Sequence, residues 1–318
     1  MYRRPAFVDL PRPNGETLPL AWGLEKENVG MLAAISAEYA AQAASLVRNG
    51  ERVNLDLPLH LPLGAVPAHS HRIREAPIHE LVTDTYEGLL IRDDCVTFHP
   101  QASSQWDSLA HVGDPVHGFY DGAQSKDIHL GDGSRNGVDR YADFGIFTRG
   151  IYIDLPEFYA NNQRHWSALG SQICSANDLR LALEQSEVKP QLGDVLCVRT
   201  GWLEAFNKAS PEGKKTIFQG RDYSGLAGDE SMWQYLWDAG FAAVASDSVT
   251  VEAWPLEQGK PSLHLAIARL GLVLGEMFDL DALRAAVHKH KRNTFLFTSK
   301  PLNLRGAIGS PPNAMAIF

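Results

Sequence analysis

The chain has 318 residues, of which 44% are apolar and 21% charged. This balance argues against an intrinsically disordered protein, because enough apolar surface is present to form a large core. The 38 acidic residues outnumber the 29 basic ones, for a formal net charge of -9. That charge disfavours binding to nucleic acids or to anionic membranes.

Signals of export or membrane insertion are also missing from the sequence. No stretch approaches the uninterrupted apolar length that spans a bilayer. The segment 1–16 carries three prolines and Asp9 where a signal peptide would have its apolar core. The cysteines, Cys95, Cys174 and Cys197, are odd in number and form no Cys-x-x-Cys pair, which argues against a disulfide scaffold or a structural zinc ribbon. We expect a cytoplasmic protein.

The first part of the chain predicts one helix and little else that is regular. Ser36 is a suitable N-cap for an alanine-rich helix that runs to Val47, with Gly50 as its C-terminal stop. Two prolines within residues 53–63 restrict any strand there to a short strand or a sheet edge.

The rest of the chain alternates between strand and helix patterns. Strands are predicted at 89–98, 145–154, 194–200, 241–246, 272–276 and 294–299, and helices at 229–239, 262–270 and 280–290. Residues 121–143 predict a glycine- and aspartate-rich loop, and residues 205–225 a polar surface loop. We expect one compact α/β domain over residues 1–318, with residues 1–50 as an N-terminal extension and helix packed on it.

The segment from Gln101 to His111 is the richest in groups that carry chemistry. Asp107 and His111 are four residues apart, and on a helical turn this spacing places a carboxylate and an imidazole on one face. Both groups are ordinary ligands of zinc or manganese. Taken alone, such a pair is more often a structural hydrogen bond than a metal site.

A second pair of candidate ligands lies far downstream. His264 lies in the short helical pattern at 262–270, which Gly271 ends, and the strand that follows carries Glu276. Because helix and strand are both short, an antiparallel return brings Glu276 back near His264.

These residues belong to a wider resemblance, which covers most of the chain. The chain resembles the cyclase family, which includes bacterial kynurenine formamidases and isatin hydrolase. The family signature is His-x-Gly-Thr-His-x-Asp-x-x-x-His; Asp107 and His111 match its aspartate and last histidine, and Ser104 stands in place of the threonine. Later blocks that look like the family's are TGW at 200–202, GLAGDESMWQYLWDAGFAAVASDS at 225–248, LHLAIARLGLVLGEMFDL at 263–280 and GSPPNAMAI at 309–317.

The resemblance implies a fold and a metal site. The implied fold is an α/β domain with a mixed, partly barrel-like sheet flanked by helices. The implied metal ligands are Asp107, His264 and Glu276, with Gln105 as a weak fourth, and His111 is either a further ligand or the general base.

The chain departs from the signature at its first two histidines. Gln101 and Gln105 replace them, which places the chain in a branch marked by Gln-Trp-Asp at 105–107. Because glutamine offers only a neutral carbonyl oxygen, one divalent ion, Mn2+ or Zn2+, is more plausible than two.

Further roles are assigned around this constellation. Trp106, Gln101 and His117 are expected to contact the substrate, Trp106 through an aromatic ring and His117 through its proximity to Asp107. Core packing is the competing interpretation of Trp106. Asp247, at the end of an apolar strand, is expected to orient a ligand residue.

The predicted function is that of a metal-dependent hydrolase. It would attack a carbon–nitrogen bond of a small, cyclic or aromatic amide with a water activated by the metal. A lactone or ester hydrolase with the same site remains open, and so does a non-catalytic binding protein whose glutamines have abolished metal binding. The resemblance also implies a homodimer or a higher homo-oligomer.

Overall fold

The structure, a computed structural model, describes residues 4–62, 74–220 and 222–318, without the side chains of residues 218 and 219. Its helices are α1 (Ala37–Ala44), α2 (Asp139–Phe144), α3 (Leu155–Asn161), α4 (Ala176–Gln185), α5 (Trp202–Lys208), α6 (Pro211–Gly220), α7 (Glu230–Asp238), α8 (Leu265–Leu270) and α9 (Leu280–His290). Its strands are β1 (Arg52–Asn54), β2 (Ile78–Tyr86), β3 (Leu89–Thr97), β4 (Gln105–Asp107), β5 (Ile146–Asp154), β6 (Ile173–Cys174), β7 (Val195–Arg199), β8 (Gly225–Leu226), β9 (Ala243–Ser246), β10 (Val273–Glu276), β11 (Thr294–Ser299), β12 (Gly309–Ser310) and β13 (Ala314–Ile317).

Nine strands form one mixed, curled sheet, in the order β1-β13-β11-β5-β7-β9-β10-β4-β12. The four central strands, β5, β7, β9 and β10, run parallel to one another. Antiparallel strands extend the sheet on both sides. The expectation of an α/β fold with a mixed, partly barrel-like sheet is confirmed.

The parallel strands lie at the centre of the sheet because their sequences are almost continuously apolar. All five residues of β7 and all four of β9 are buried, as is typical of strands covered by helices on both faces. The large apolar core lies against these strands and includes Phe7, Leu10 and Leu32 of the N-terminal segment.

The helix boundaries follow capping residues in the sequence. The Oγ of Ser36 accepts a hydrogen bond from the Tyr39 amide and caps α1, as predicted. Asp229 and Asp279 cap α7 and α9 in the same way. The end of α1 differs from the prediction, because the helix stops at Ala44 rather than at Val47.

Two predicted loops contain helices. Residues 205–225 include most of α5 and all of α6, and residues 121–143 include most of α2. Most of these residues are polar, so their helical pattern is weak. Apolar contacts hold α5 in place, because its Trp202, Leu203 and Phe206 form a small core cluster with Tyr223.

The short strand predicted within 53–63 is β1, an edge strand that pairs with β13. The predicted strand at 89–98 is β3, which pairs with β2 in a separate two-stranded sheet. Among the residues that the structure describes, no helix is long and apolar enough to cross a membrane.

Candidate functional site

Strand β4 carries two candidate ligands into the interior. Its three residues, Gln105, Trp106 and Asp107, are all buried. Because side chains alternate along a strand, Gln105 and Asp107 share one face and Trp106 occupies the other. Strand β10 pairs antiparallel with β4 and sets Glu276 directly opposite Gln105, whose Nε2 donates a hydrogen bond to the Glu276 carboxylate.

His264 reaches the same point from the start of α8. Gly271, with φ of 70°, ends this helix, and the chain turns back into β10. The Nε2 atom of His264 lies 3.0 Å from Oε1 of Glu276 and 3.8 Å from Oδ2 of Asp107. The predicted return of Glu276 to His264 is confirmed, and one ligand atom from each of Asp107, His264 and Glu276 lies within 4.8 Å of the others.

A third carboxylate, which no sequence pattern singled out, fixes the His264 ring. Oε1 of Glu252 lies 2.6 Å from Nδ1 of His264. The same carboxylate accepts hydrogen bonds from the Ser262 hydroxyl and from the Leu263 amide. Glu252 is 1% exposed. The available signal was an acidic residue within the otherwise uncharged run 248–256.

The electrostatics of the cluster reflect several acids in one buried space. Burial and the charge of Asp107 raise the pKa of Glu276, although His264 opposes this shift. Burial also favours a low pKa for His264, but its hydrogen bonds to Glu252 and Glu276 outweigh this effect and raise the pKa well above its ordinary value. Burial raises the pKa of Glu252, but its hydrogen bonds, to His264 above all, leave it below the ordinary value. A cation is the natural counter-charge for such a group.

The donor set fits a divalent ion. Oδ2 of Asp107 and Oε1 of Gln105 are buried and have no hydrogen-bond partner among the described residues. Buried polar atoms are normally satisfied, so the unpartnered Oδ2 of Asp107, 3.8 Å from Nε2 of His264, indicates a place for an additional ligand. The amide of Gln105 presents its nitrogen, and not this unpartnered oxygen, to Glu276. Oxygen and imidazole donors of this kind suit Mn2+ or Zn2+.

His111 lies beside the cluster, but the backbone between Asp107 and His111 is not the predicted helical turn. Asp107 belongs to a strand and His111 to the turn that follows, so the helical-turn premise is wrong. The turn still brings Nε2 of His111 to 3.8 Å from Oδ1 of Asp107, with the side chain 13% exposed. This distance is too long for a hydrogen bond and leaves the imidazole free to act on a group bound next to Asp107.

Trp106 is packed in the core, as one of the two interpretations of its role expects. Its side chain is fully buried on the face of β4 opposite to Asp107. Its Nε1 donates to Oγ of Ser299, and its ring packs edge-on against Phe278 and Phe297. The competing interpretation, core packing, is correct.

The two other predicted substrate contacts have different surroundings. The side chain of Gln101 lies against Gly309, where a Cβ atom would be 2.6 Å from Nε2 of Gln101. Gly309 is the register partner of Asp107, so Gln101 stays close to the cluster. His117 instead lies 2.9 Å from Oε1 of Glu16, which also pairs with Arg269. The structure therefore places His117 in an ion-pair network rather than in the cluster.

Asp247 does not contact any of the candidate ligands through the hydrogen bonds of its carboxylate, although it was predicted to orient one of them. Its carboxylate accepts hydrogen bonds from the amide and hydroxyl of Thr200 and from the amide of Gly201. These bonds hold the turn that starts α5. Glu252, and not Asp247, orients the His264 ring.

The cyclase family model, described as "Putative cyclase", matches residues 35–253. The chain belongs to this family. The match includes β4 and Glu252 but ends before His264 and Glu276, which the fold brings to the same site. No curated protein matched the chain.

Solved structures share the fold over nearly the whole chain. A crystal structure described as a novel cyclase has a TM-score of 0.82 and 23% identity, over 94% of this chain and 99% of that one. Isatin hydrolase A from Labrenzia aggregata, bound to benzyl benzoate, has a TM-score of 0.56 and 15% identity, over 87% and 96%. Isatin hydrolase A from Ralstonia solanacearum has a TM-score of 0.57 and 15% identity, over 88% and 95%.

Proposed function

We propose that this protein is a metal-dependent hydrolase that opens a carbon–nitrogen bond in a small-molecule amide. The observation that supports this most directly is the cluster of Asp107, His264 and Glu276, whose two carboxylates are buried and which contains an unpartnered Asp107 oxygen. Gln105 is the weak fourth ligand of this proposal, and its amide would have to turn over, because its Nε2 donates to Glu276. The proposed ion is a single Mn2+ or Zn2+.

The chemistry of the bound ion is that of a Lewis acid, which polarises a carbonyl and makes a coordinated water more acidic. Glu252 holds Nδ1 of His264 and thereby leaves Nε2 facing Glu276, where it would be one of the groups that hold the ion. His111 takes a proton from the attacking water and returns it to the leaving nitrogen as the carbon–nitrogen bond breaks. Burial of the carboxylates keeps bulk water from competing for the ion.

The same groups would also open a lactone or an ester. Two structural neighbours are named isatin hydrolases, and isatin is a cyclic aromatic amide. This name guides the choice of the first compounds to screen, which are aromatic lactams followed by linear amides and lactones.

Elemental analysis of protein purified without chelators tests the proposal. We expect about one equivalent of Mn2+ or Zn2+ in the native protein, and its loss in Asp107→Ala and in His264→Ala. Glu184→Ala and His165→Ala, which remove exposed side chains of the same kinds, serve as controls and keep the metal. A folded native protein that takes up neither ion contradicts the proposal and favours a non-catalytic binding protein.

His111→Ala separates the two roles of that residue. As the general base, His111 can be removed with full metal content and a loss of about 10²- to 10⁴-fold in kcat on any amide that the native protein hydrolyses. Loss of the metal in this variant would make His111 a ligand instead.

A further inference from the structure

Arg74 lies beside the candidate site, on a segment that has no part in the proposed function. It precedes β2 and is half-buried, and its Nη1 donates a hydrogen bond of 2.7 Å to the backbone carbonyl of Gln101. The side chain of Gln101 lies against Gly309, which is the register partner of Asp107. The guanidinium of Arg74 is therefore held at the edge of the cluster that contains Asp107.

The positive charge of Arg74 reaches the candidate ligands without touching them. Burial and the charge of Asp107 raise the pKa of Glu276, and the charge of Arg74 is among the influences that lower it. Among the described residues, however, no carboxylate oxygen lies within 4.0 Å of the guanidinium nitrogens. Arg74 is thus close to the cluster but forms no ion pair with either of its carboxylates.

Other arginines in the interior hold a carboxylate directly. Arg199 lies 3.3 Å from Asp154, and Arg269 lies 2.7 Å from Asp114. A guanidinium has five N–H donors in a fixed planar fork, and one hydrogen bond to a backbone carbonyl leaves most donors of Arg74 without a partner among the described residues. An unpaired guanidinium at the edge of a substrate site is suited to bind an anion.

The position of Arg74 restricts which anion this is. Because Arg74 makes no direct contact with Asp107 or Glu276, it is better placed for a second group of the substrate than for the carbonyl that the ion polarises. The planar fork matches a carboxylate, whose single negative charge balances that of one guanidinium. A phosphate monoester carries nearly two negative charges at neutral pH and would be repelled more strongly by the carboxylates of the cluster.

We propose that Arg74 binds a carboxylate of the substrate, so that the protein acts on amides that also bear a carboxylate group. The inference rests on the proposed function for the bond that is broken, whereas binding of the anion requires only Arg74. The N–H groups that do not bond Gln101 would donate to the two carboxylate oxygens. The pair would hold the substrate in one orientation, with its amide toward the cluster.

An anchor of this kind has a definite kinetic signature. The carboxylate is not part of the reacting amide, so its hydrogen bonds to Arg74 have the same strength in the ground state and in the transition state. Removing them weakens substrate binding and raises KM, while kcat changes little.

Calorimetric titration with compounds that contain no amide bond tests the anchor without turnover. The probes are the ortho, meta and para isomers of aminobenzoate, which direct a carboxylate three ways, and aniline, which lacks it. We expect at least one isomer to bind the native protein about tenfold or more tightly than aniline, and Arg74→Gln to remove this difference. Arg74→Lys keeps the charge but not the planar fork and should retain part of it.

Arg292→Gln is the matched control. Arg292 is also half-buried and donates through Nη1 to a backbone carbonyl, that of Leu46, away from the candidate site. This variant should bind every probe as the native protein does. Thermal unfolding compares the stability of the two glutamine variants, and elemental analysis should find the native metal content in both.

Hydrolysis of matched amides measures the consequence for specificity. Formanilide and the three formamidobenzoates share the same amide and differ in the carboxylate. For the preferred isomer, Arg74→Gln should raise KM about 10- to 100-fold and leave kcat within about twofold. Its kinetics on formanilide should equal those of the native protein.

The titrations and the metal analysis separate this inference from the proposed function. Arg74 is not an anion anchor if no aminobenzoate binds better than aniline, or if Arg74→Gln binds the isomers as well as the native protein does. Loss of the metal in Arg74→Gln also overturns the inference, because Arg74 then acts on the ligand cluster. A protein that binds an aminobenzoate through Arg74 but takes up no metal contradicts the proposed function instead and leaves the anchor in place.

Discussion

At the scale of single residues, the imidazole of His264 shows how the site is prepared for a cation. One ring nitrogen is 2.6 Å from a Glu252 oxygen and the other is 3.0 Å from a Glu276 oxygen. The bond to Glu252 fixes the ring, so that Nε2 is the nitrogen available to a metal. Because Glu252 also accepts hydrogen bonds from Ser262 and Leu263, ring orientation and chain path are set together.

This arrangement predicts the effect of removing one charge. Glu252→Gln should lower the affinity for Mn2+ or Zn2+ by about 10- to 100-fold, because the amide supports the His264 ring less well. Titration of the metal-free protein with each ion, monitored by calorimetry, measures the change.

Asp247→Asn is the matched control for this titration, because it makes the same change at another buried carboxylate. Asp247 bonds Thr200 and Gly201, so this variant should bind metal as the native protein does while unfolding at a lower temperature. Equal metal affinities for native protein and Glu252→Gln would show that Glu252 has no part in the metal site.

At the scale of secondary structure elements, the pairing of β4 with β10 places the site. This pairing sets Gln105 opposite Glu276 and so brings the candidate ligands of β4 next to that of β10. On the opposite face of the sheet, the same pairing sets Trp106 opposite Gly275. The glycine is necessary there, because a Cβ at Gly275 would lie 2.7 Å from ring carbons of both Trp106 and Phe278.

Gly275→Ala should therefore destabilise the protein by about 1–3 kcal/mol, the usual cost of overpacking a core. Urea unfolding measures the change in the free energy of unfolding. Gly220→Ala is the control, since none of the described residues has an atom within 4 Å of a Cβ at that helical position, and it should be neutral or slightly stabilising. An unchanged Gly275→Ala midpoint would contradict the tight packing of Trp106 against β10.

At the scale of the whole molecule, a buried carboxylate joins distant parts of the chain. Asp56, just after β1, accepts a hydrogen bond from the amide of Ala314 in β13. Burial raises its pKa to about 6, although backbone hydrogen bonds from Ala314 and Asn313 oppose the shift. Its other oxygen is buried and has no partner among the described residues.

A raised pKa makes stability depend on pH with a definite sign. Between pH 6 and pH 4 the folded protein binds a proton at Asp56 that the unfolded chain does not, so this group adds stability as the pH falls and removes it as the pH rises through 6. Asp56→Asn lacks this titration. We expect the variant's free energy of unfolding, relative to that of the native protein, to decrease from pH 7 to pH 4.

Urea unfolding across this range tests the sign, with Asp9→Asn as a control at an exposed carboxylate. A difference between native protein and Asp56→Asn that is constant with pH would show that Asp56 is not buried as described.

Local sequence patterns were sufficient to predict most of the regular elements and the residue types that meet at the candidate site. Strands β5, β7, β9, β10 and β11 and helices α7 and α9 were predicted to within about two residues, because local patterns and caps define them. The family resemblance also singled out Asp107, His264 and Glu276, which the structure brings together in one cluster. Strand and helix patterns, capping residues and the types of the candidate ligands are all local properties of the chain. A single sequence is therefore enough to recognise them.

The tertiary structure alone decided which way side chains face and which distant groups meet. Trp106 faces the core because successive side chains of strand β4 point to opposite faces. The sequence analysis had assumed a helical turn after Asp107, and a helix has no such alternation of side chains. Glu252 supports His264, and Asp247 holds Thr200, through contacts between segments whose relative position no local pattern encodes. Register between strands depends on packing over the whole sheet, and for that reason it could not be predicted from the residues of β4 or β10 alone.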